Sequence, residues 1–317
     1  MKNTLFAIGE ALIDFIPNKT GCDFSEVTAF APKIGGAPTN VLGAFSKLGG
    51  KTQLITQLGD DPFGHKIVDA LTGFHIGIDH VLFTKNANTA LAFVSLDKSG
   101  NRTFSFYRNP SADMLYSADN LTEDMFNDCF ALHFCSVSLV DSPMKEAHKK
   151  AIELAKSSGA IISFDPNIRF PLWNDKRALK TAIDEFLPMA DIVKVSDEEI
   201  EFITGTADIK KGCMELLKHA KLVICTCGAG GAYAYTDKVE AFAESKAVEA
   251  KDTTGAGDAF IGSFLYGLHR YGFDDNLTEN RLKSLLKASN EYCGKSVMEY
   301  GAIESYPDLY NQSEETI

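Results

Sequence analysis

Apolar and polar positions along the chain follow two alternating periods. Short apolar runs at 5–8, 52–58, 131–137, 160–164, 192–195 and 222–226 read as buried strands. Between them lie segments with apolar residues at helical spacing. Residues 38–48 form one such segment, which stops at Gly49-Gly50. Asp61-Pro62 supplies an N-cap and a proline at the first helical position ahead of 63–71, and Ser142-Pro143 does the same for a helix through 155. Repeated strand-then-helix units predict an α/β fold with a mostly parallel central sheet flanked by helices. Two stretches break the rhythm. Residues about 12–33 and about 86–108 are rich in β pattern without helices. In the second, 90–96 and 103–108 flank Asp97-Lys98-Ser99-Gly100-Asn101, which reads as a hairpin turn. Both stretches leave the α/β body and return to it, either as a small separate sheet or as an antiparallel extension of the main one. The tail after Tyr306 is polar and is expected to fray.

Length and charge narrow the function classes. A chain of 317 residues buries a large core. The balance of 31 Lys and Arg against 43 Asp and Glu gives a net charge of −12, which argues against nucleic acid as a partner. The seven cysteines are odd in number and contain no C-x-x-C, and the seven histidines show no H-x-x-x-H pair. That pattern predicts reduced, mostly buried thiols of a cytoplasmic protein, without a zinc site or disulfide framework. Glu10 and Asp14 interrupt the first apolar run, so it does not read as a signal peptide. No apolar stretch approaches membrane-spanning length.

The richest stretch is Asp252-Thr253-Thr254-Gly255-Ala256-Gly257-Asp258-Ala259-Phe260. Its three small residues are followed by a carboxylate and then by Phe260, Phe264, Leu265 and Leu268 at helical spacing. This predicts a loop that becomes a helix at 255–257. The first N–H groups of a helix lack internal partners and sit at the positive end of its dipole, so they bind anions. Small residues let a phosphate approach the backbone. Asp258, in the first turn, is then placed to take a proton from an attacking hydroxyl while Gly255, Ala256 and Gly257 hold the transferring phosphoryl.

Other constellations admit two readings each. Asp14 follows the first strand unit, where α/β sites usually lie, and a carboxylate accepts hydrogen bonds from two adjacent sugar hydroxyls. Gly35-Gly36 lets a flat polar ligand approach, and Asn40 both donates and accepts; a tight turn and a helix-initiating Asn are the plain alternative. Arg108 and Arg169 sit at element ends, where arginines are ordinarily solvated. Ser196-Asp197-Glu198-Glu199 reads as a capping box. Thr226-Cys227-Gly228-Ala229-Gly230-Gly231 is a glycine-rich hairpin and not a P-loop, since no G-x-x-x-x-G-K-[ST] occurs.

Taken in order, these motifs resemble the ribokinase (PfkB) family of sugar kinases from end to end. The resemblance rests on residues 9–17, on Gly35-Gly36-Ala37-Pro38-Thr39-Asn40-Val41, on Gly59-Asp60-Asp61-Pro62-Phe63-Gly64, on Asp165-Pro166-Asn167-Ile168-Arg169 and on the nonapeptide. Residues 106–114 and 169–173 look like its fructokinase branch. The resemblance implies one ribokinase-like domain over 1–317, with a discontinuous β lid from about 12–33 and 86–108 and a homodimer through that lid. It implies sugar contacts at Asp14, Gly35, Gly36, Asn40, Arg108, Arg169 and Asp258. It implies nucleotide contacts at Thr226, Gly228, Gly231, Val248, Gly257, Ala288 and Asn290. Where the family carries Asn-x-x-Glu to organise hydrated magnesium, this chain has Ser196, a departure that leaves Glu199 to serve as cap, as holder of metal-bound water, or both. Asp252, Thr254, Ser296, Glu299, Gly301 and Ser305 correspond to a potassium site of related kinases, with a sterically required turn as the other reading. The expected activity is ATP- and Mg2+-dependent phosphorylation of D-fructose to fructose 6-phosphate. A 2-keto-3-deoxygluconate kinase is the second enzyme reading, because the arginines also suit a carboxylate. An inactive regulatory relative is the non-enzyme reading, against which the retained Asp258 and Gly-Ala-Gly loop weigh.

Overall fold

The computed structural model describes residues 2–19, 21–22, 24–96, 102–273 and 277–309. The chain opens with β1 (Thr4–Ile8), β2 (Leu12–Pro17) and β3 (Phe30–Gly35), followed by α1 (Ala37–Lys47), β4 (Lys51–Gly59), α2 (Pro62–Gly73) and β5 (Val81–Thr84). Next come β6 (Leu91–Leu96) and β7 (Arg102–Tyr107), then β8 (Cys129–Cys135), α3 (Pro143–Ser157), β9 (Ile161–Asp165), α4 (Lys176–Phe186) and β10 (Ile192–Ser196). Helices α5 (Asp197–Thr204) and α6 (Ile209–Leu216) precede β11 (Leu222–Thr226), β12 (Ala232–Tyr235) and β13 (Glu240–Ala243), and α7 (Ala256–Tyr271) and α8 (Glu279–Ser296) close the fold.

Nine strands form one sheet in the order β13-β12-β11-β10-β9-β8-β1-β4-β5. Every pairing from β11 to β5 is parallel, and only β12 and β13 add antiparallel edges. The chain runs outward from β1 through β4 and β5, then resumes at β8 on the other side of β1. The β1/β8 seam is therefore where the strand order reverses, the place where open α/β sheets bind ligands. One core layer packs α1, α2, α7 and α8 against the sheet. The other packs α3, α4, α5 and α6. The apolar runs of the parallel strands are buried on both faces, as this layering requires.

The two irregular stretches form a separate sheet of order β3-β2-β6-β7 and do not extend the main one. A 3-10 turn at Phe24–Glu26 interrupts the first of them. The expected turn at 97–101 and the tail beyond 309 lie outside the described residues. Strand β8 stops at Cys135, short of the expected 137, because the Ser136 N–H turns to bond Pro166 O at 3.2 Å and the chain enters a 3-10 turn. All seven cysteines are unpaired, and no helix among the described residues is long and apolar enough to cross a membrane.

Asp61 organises the exit toward the small sheet. Its Oδ1 caps α2 by accepting from the Phe63 and Gly64 N–H groups at 3.0 and 2.9 Å. Its Oδ2 accepts from the Thr89 N–H at 2.8 Å, and the Thr89 hydroxyl in turn accepts from Gly59 N–H at 3.1 Å. One carboxylate thus joins the end of β4, the start of α2 and the segment entering β6. The motif at 59–64 is explained by this knot without any ligand. We expect Asp61→Ala to lower the unfolding free energy by about 1–3 kcal/mol. The measurement is the urea midpoint at constant m value; an unmoved midpoint would show that the knot carries no stability.

Candidate active site

The site is assembled from helix starts and strand ends beside the reversal seam. Helix α7 begins after Gly255, whose φ of 71° is left-handed. Glycine is required there: a Cβ would lie 2.5 Å from the Tyr306 hydroxyl, which itself donates to Gly255 O at 2.8 Å. The Ala256 N–H is used on Thr253 O at 3.3 Å. The N–H groups of Gly257 and Asp258, in the first turn, have no intrahelical acceptor and leave a helix end suited to an anion.

Asp258 is buried, and each carboxylate oxygen is held by an amide. Asn40 Nδ2, from α1, donates to Oδ2 at 2.9 Å, and Asn167 Nδ2 donates to Oδ1 at 3.3 Å. Burial pushes the Asp258 carboxyl up to about 6. The Asn40 hydrogen bond and the charges of Lys194 and Arg169 pull it down, while the Asp165 carboxylate adds to the rise. A carboxylate of that basicity, on a fixed rotamer beside an anion-binding helix end, is suited to accept a hydroxyl proton. Asn40 Oδ1 is buried without a hydrogen-bond partner in the protein, so it has an acceptor to offer a ligand.

Asn167 was not among the expected contacts. Its backbone is left-handed, with φ of 44°, and its N–H bonds Asp165 Oδ1 at 3.0 Å. Asp165 also pairs with Lys194 Nζ at 2.8 Å in a fully buried ion pair. Burial works against the Lys194 charge, but Asp165, Glu199 and Asp258 outweigh it and hold the ammonium above its usual range. The sequence did carry a signal for Lys194: it is the one charge in the apolar run Ile192-Val193-Lys194-Val195.

The expected sugar contacts converge in part. A Cβ on Gly35 would strike the Asp14 carboxylate, so β2 lays that acid over the Gly35 backbone. Gly36, with φ of 109°, caps α1, and any Cβ there would collide with Glu10 O. Arg169 is half-buried at the end of the loop after β9, close enough to depress Asp258. Arg108 is engaged differently. Its guanidinium lies buried at the reversal seam, pairing with Asp113 and donating to Val137 O at 3.0 Å and Ser138 Oγ at 3.3 Å. Its Nε is buried with no protein partner. Glu10 completes this cluster: Ser138 donates to it at 2.5 Å, and it accepts from the Ala37 N–H at 3.0 Å at the start of α1. Burial raises the Glu10 pKa, against the opposing charge of Arg108.

A cavity of 370 Å³ opens beside the start of α7. Thr226, Gly228, Gly231, Val248, Gly257 and Asn290 all line it, together with Phe260 and Val297. Ala288 does not. It is exposed and lines a different groove between α7 and α8. Two residues are about 200° of helix, so Ala288 and Asn290 face opposite ways, while Cys293 and Gly294 share the Asn290 face. Asn290 Nδ2 also donates to Ala243 O at 2.9 Å and so fixes α8 against β13.

Glu199 forms the capping box, accepting from Ser196 N–H at 2.9 Å through Oε2. Its Oε1 accepts from Ile168 N–H at 2.7 Å, which anchors the loop bearing Asn167 and Arg169. The loop at 252–254 meets the later segment. Val297 O accepts from Lys251 and Asp252 N–H groups at 2.8 and 3.2 Å, and Asp252 Oδ2 accepts from Gly301 N–H at 3.0 Å. Asp252 Oδ1 accepts from the Thr254 N–H and hydroxyl at 2.9 and 2.6 Å. The side chains of Ser296 and Ser305 turn to Cys293 O and Ala302 O, and Glu299 pairs with Lys251 at 3.5 Å on the surface. Carbonyl groups and Asp252, rather than those three side chains, are what this junction has to offer a cation.

The arrangement has counterparts among known proteins. The profile of the "pfkB family carbohydrate kinase" matches residues 2–309. The chain is 42% identical over 313 residues to a probable fructokinase-5 from Arabidopsis thaliana, covering 97% of this chain and 96% of that protein. It superposes with a TM-score of 0.85 and 28% identity on a putative ribokinase II from E. coli in complex with ATP and Mg2+, covering 98% and 99% of the two chains. A double mutant of the fructokinase from Vibrio cholerae O395, with fructose, ADP and potassium ion bound, gives a TM-score of 0.86 at 30% identity, covering 99% and 98%. The fold is ribokinase-like, and the family profile over residues 2–309, with a relative 42% identical over nearly the whole length, shows that the chain belongs to the pfkB family of carbohydrate kinases.

Proposed function

We propose that the protein transfers the γ-phosphoryl group of ATP to the 6-hydroxyl of D-fructose. The observation that carries this reading is the Asp258 carboxylate, raised to about 6 and clamped by Asn40 and Asn167 at the mouth of an anion-binding helix end. Support for fructose comes from the fructokinases among the similar proteins, one of them holding fructose and ADP.

Asp258 accepts the proton of the attacking hydroxyl. The bond from that oxygen to the γ-phosphorus forms as the bond from phosphorus to the β–γ bridging oxygen breaks, and ADP leaves. Asp258 then returns the proton to solvent. The N–H groups at the start of α7 hold the charge that builds on the equatorial oxygens. Asp14, Gly35, Gly36 and Asn40 orient the sugar, with Arg169 beside the transferring group. The cavity lined by Thr226, Gly228, Val248 and Asn290 takes the nucleoside. The small sheet closes as a lid over the sugar, excluding water from a phosphoryl that would otherwise be hydrolysed. Arg108, directly after β7, ties that lid to the reversal seam and keeps its Nε for the sugar.

Magnesium accompanying ATP supplies neutralisation at the β- and γ-phosphates. Each Glu199 oxygen accepts one backbone N–H and keeps a further lone pair, so this acid fits the holding of metal-bound water. The junction of Asp252 with the Gly301 segment fits a monovalent cation held by backbone carbonyls, whose charge would steady the anion site nearby.

Five outcomes test this reading. Asp258→Asn retains ADP and fructose binding but loses about 10²–10⁴-fold in kcat. The wild-type kcat/KM falls below about pH 6, because the base must be deprotonated and its pKa is raised. A mutant with near-normal kcat, or a profile flat down to pH 5, would remove Asp258 as the base. Coupled ADP release across fructose, other hexoses and 2-keto-3-deoxygluconate tests the substrate. Fructose should lead, and Arg169→Lys should weaken kcat/KM for it with nucleotide affinity kept. A tenfold preference for the acid, about 1.4 kcal/mol, would instead assign a sugar-acid kinase. Potassium should raise the rate over sodium at equal ionic strength; equal rates in the two salts would reduce the 252–254 junction to a structural turn.

A further inference from the structure

Lys194 is a buried charge that the reaction written above does not use. It lies in the middle of the main sheet, on β10, with its side chain 6% exposed. Its direct carboxylate partner is Asp165, at 2.8 Å. A buried ion pair of this kind is weak grounds for stability, since apolar residues of similar size commonly serve as well. Its position says more. A Cβ placed on Gly257 would lie 3.0 Å from Lys194 Nζ, so the ammonium abuts the residue whose N–H forms the anion-binding end of α7. The same ammonium is close enough to Asp258 and Glu199 for both to raise its pKa. An ammonium has three N–H donors, and Asp165 takes one.

We propose that Lys194 is a catalytic residue: its ammonium contacts the transferring phosphoryl group at the start of α7 and stabilises the charge that develops there. This rests on the phosphotransfer reading of the site. The geometry explains the components together. The phosphoryl lies between the base and the nucleotide cavity, against Gly257. Backbone dipoles supply partial charges from one side, and Lys194 supplies a full charge through the floor of the site. Asp165 holds the lysine in place and, through its other oxygen, the Asn167 that orients Asp258. The ammonium and the base are therefore set by one carboxylate. In a site shielded from water, a fixed full charge acts more strongly than on the surface. Glycine at 257 leaves room for the ammonium to face the ligand.

The test uses Lys194→Met and the charge-neutral pair Lys194→Met/Asp165→Asn, in which the amide oxygen at position 165 still accepts from the Asn167 N–H. Three readings are taken on each: kcat and KM with fructose, Kd for ADP, and Kd for the non-hydrolysable β,γ-imido analogue of ATP. Both variants should lose on the order of 10²-fold in kcat, with KM for fructose and Kd for ADP within about threefold of wild type. The advantage of the imido analogue over ADP should shrink, because only the analogue carries the γ group. The paired variant should recover the thermal stability lost by the single one and still lack turnover. Recovery of kcat in the paired variant would show a structural ion pair and overturn the proposal. So would a loss of ADP affinity as large as the loss of kcat, which would place the lysine on the diphosphate. If the wild type turns over none of the sugars, the functional reading fails by that result alone, while the analogue-against-ADP comparison still reports whether Lys194 meets a γ-phosphate.

Discussion

The site depends on how closely α1 and α7 approach each other. Asn40 sits on α1 and Asp258 on α7, 218 residues apart in sequence, and their 2.9 Å hydrogen bond forms only if the helices nearly touch. Gly262 makes this possible: a Cβ there would lie 2.6 Å from Val41 O and 2.7 Å from the Ala44 side chain. Val41, Ala44 and Phe45 of α1 meet Phe260, Ile261, Phe264 and Leu265 of α7 in one fully buried layer. Burying such side chains contributes about 1.5–3 kcal/mol each before entropy is charged against it. The packing of the core and the orientation of the Asp258 carboxylate are thus one constraint. A larger residue at 262 would part the helices and release the Asp258 carboxylate from one of its two clamps.

The polar groups beneath the site fall into two buried sets at neighbouring strand ends. In one, Glu10, Arg108, Asp113 and Ser138 close the β1/β8 seam and fasten the start of α1 to the end of β7. In the other, Asp165 and Lys194 underlie Asp258. Each set contains at least one cation, which is what allows several carboxylates to be withdrawn from water at all. The first set joins the small sheet to the body. The second shifts the Asp258 carboxyl. Because α1 receives Glu10 at one end and gives Asn40 to Asp258 a turn later, the helix links the two sets mechanically.

Local features were legible in the sequence. The Gly-Ala-Gly-Asp start of α7, the Asp61-Pro62 cap and the alternation of strand and helix are all written in adjacent residues, and the structure has them. The two β-rich stretches were visible as breaks in the pattern, but whether they extended the main sheet or formed their own depended on a pairing between β2 and β6 that no local signal encodes. Ala288 was misplaced for a geometric reason: a helix was known to be there, but not which of its faces met β13. Asn167, Lys194 and the engagement of Arg108 escaped notice because each acts across a strand or a loop. Asn167 reaches Asp258 over 91 residues of sequence, and only through a left-handed backbone. Candidate side chains could be named from the sequence; the partners that hold them could not.

Those partners also explain how a buried Asp258 could serve as the proposed base. A solvent-exposed aspartate titrates near 4 and would hold a hydroxyl proton poorly. Burial alone would drive the carboxyl higher still and leave less of it ionised at neutral pH. The structure sets the two against each other. Desolvation and Asp165 raise Asp258, while Asn40, Lys194 and Arg169 lower it, and the balance falls at about 6. That leaves the carboxylate ionised at neutral pH and still basic enough to take a proton. Under the proposed reaction, the same cations would also attract a phosphoryl passing at the start of α7. A negative ligand arriving there would neutralise part of their field and raise the basicity of Asp258 at the moment the hydroxyl must be deprotonated. In the proposed reaction, substrate binding and activation of the base would then be coupled through charge.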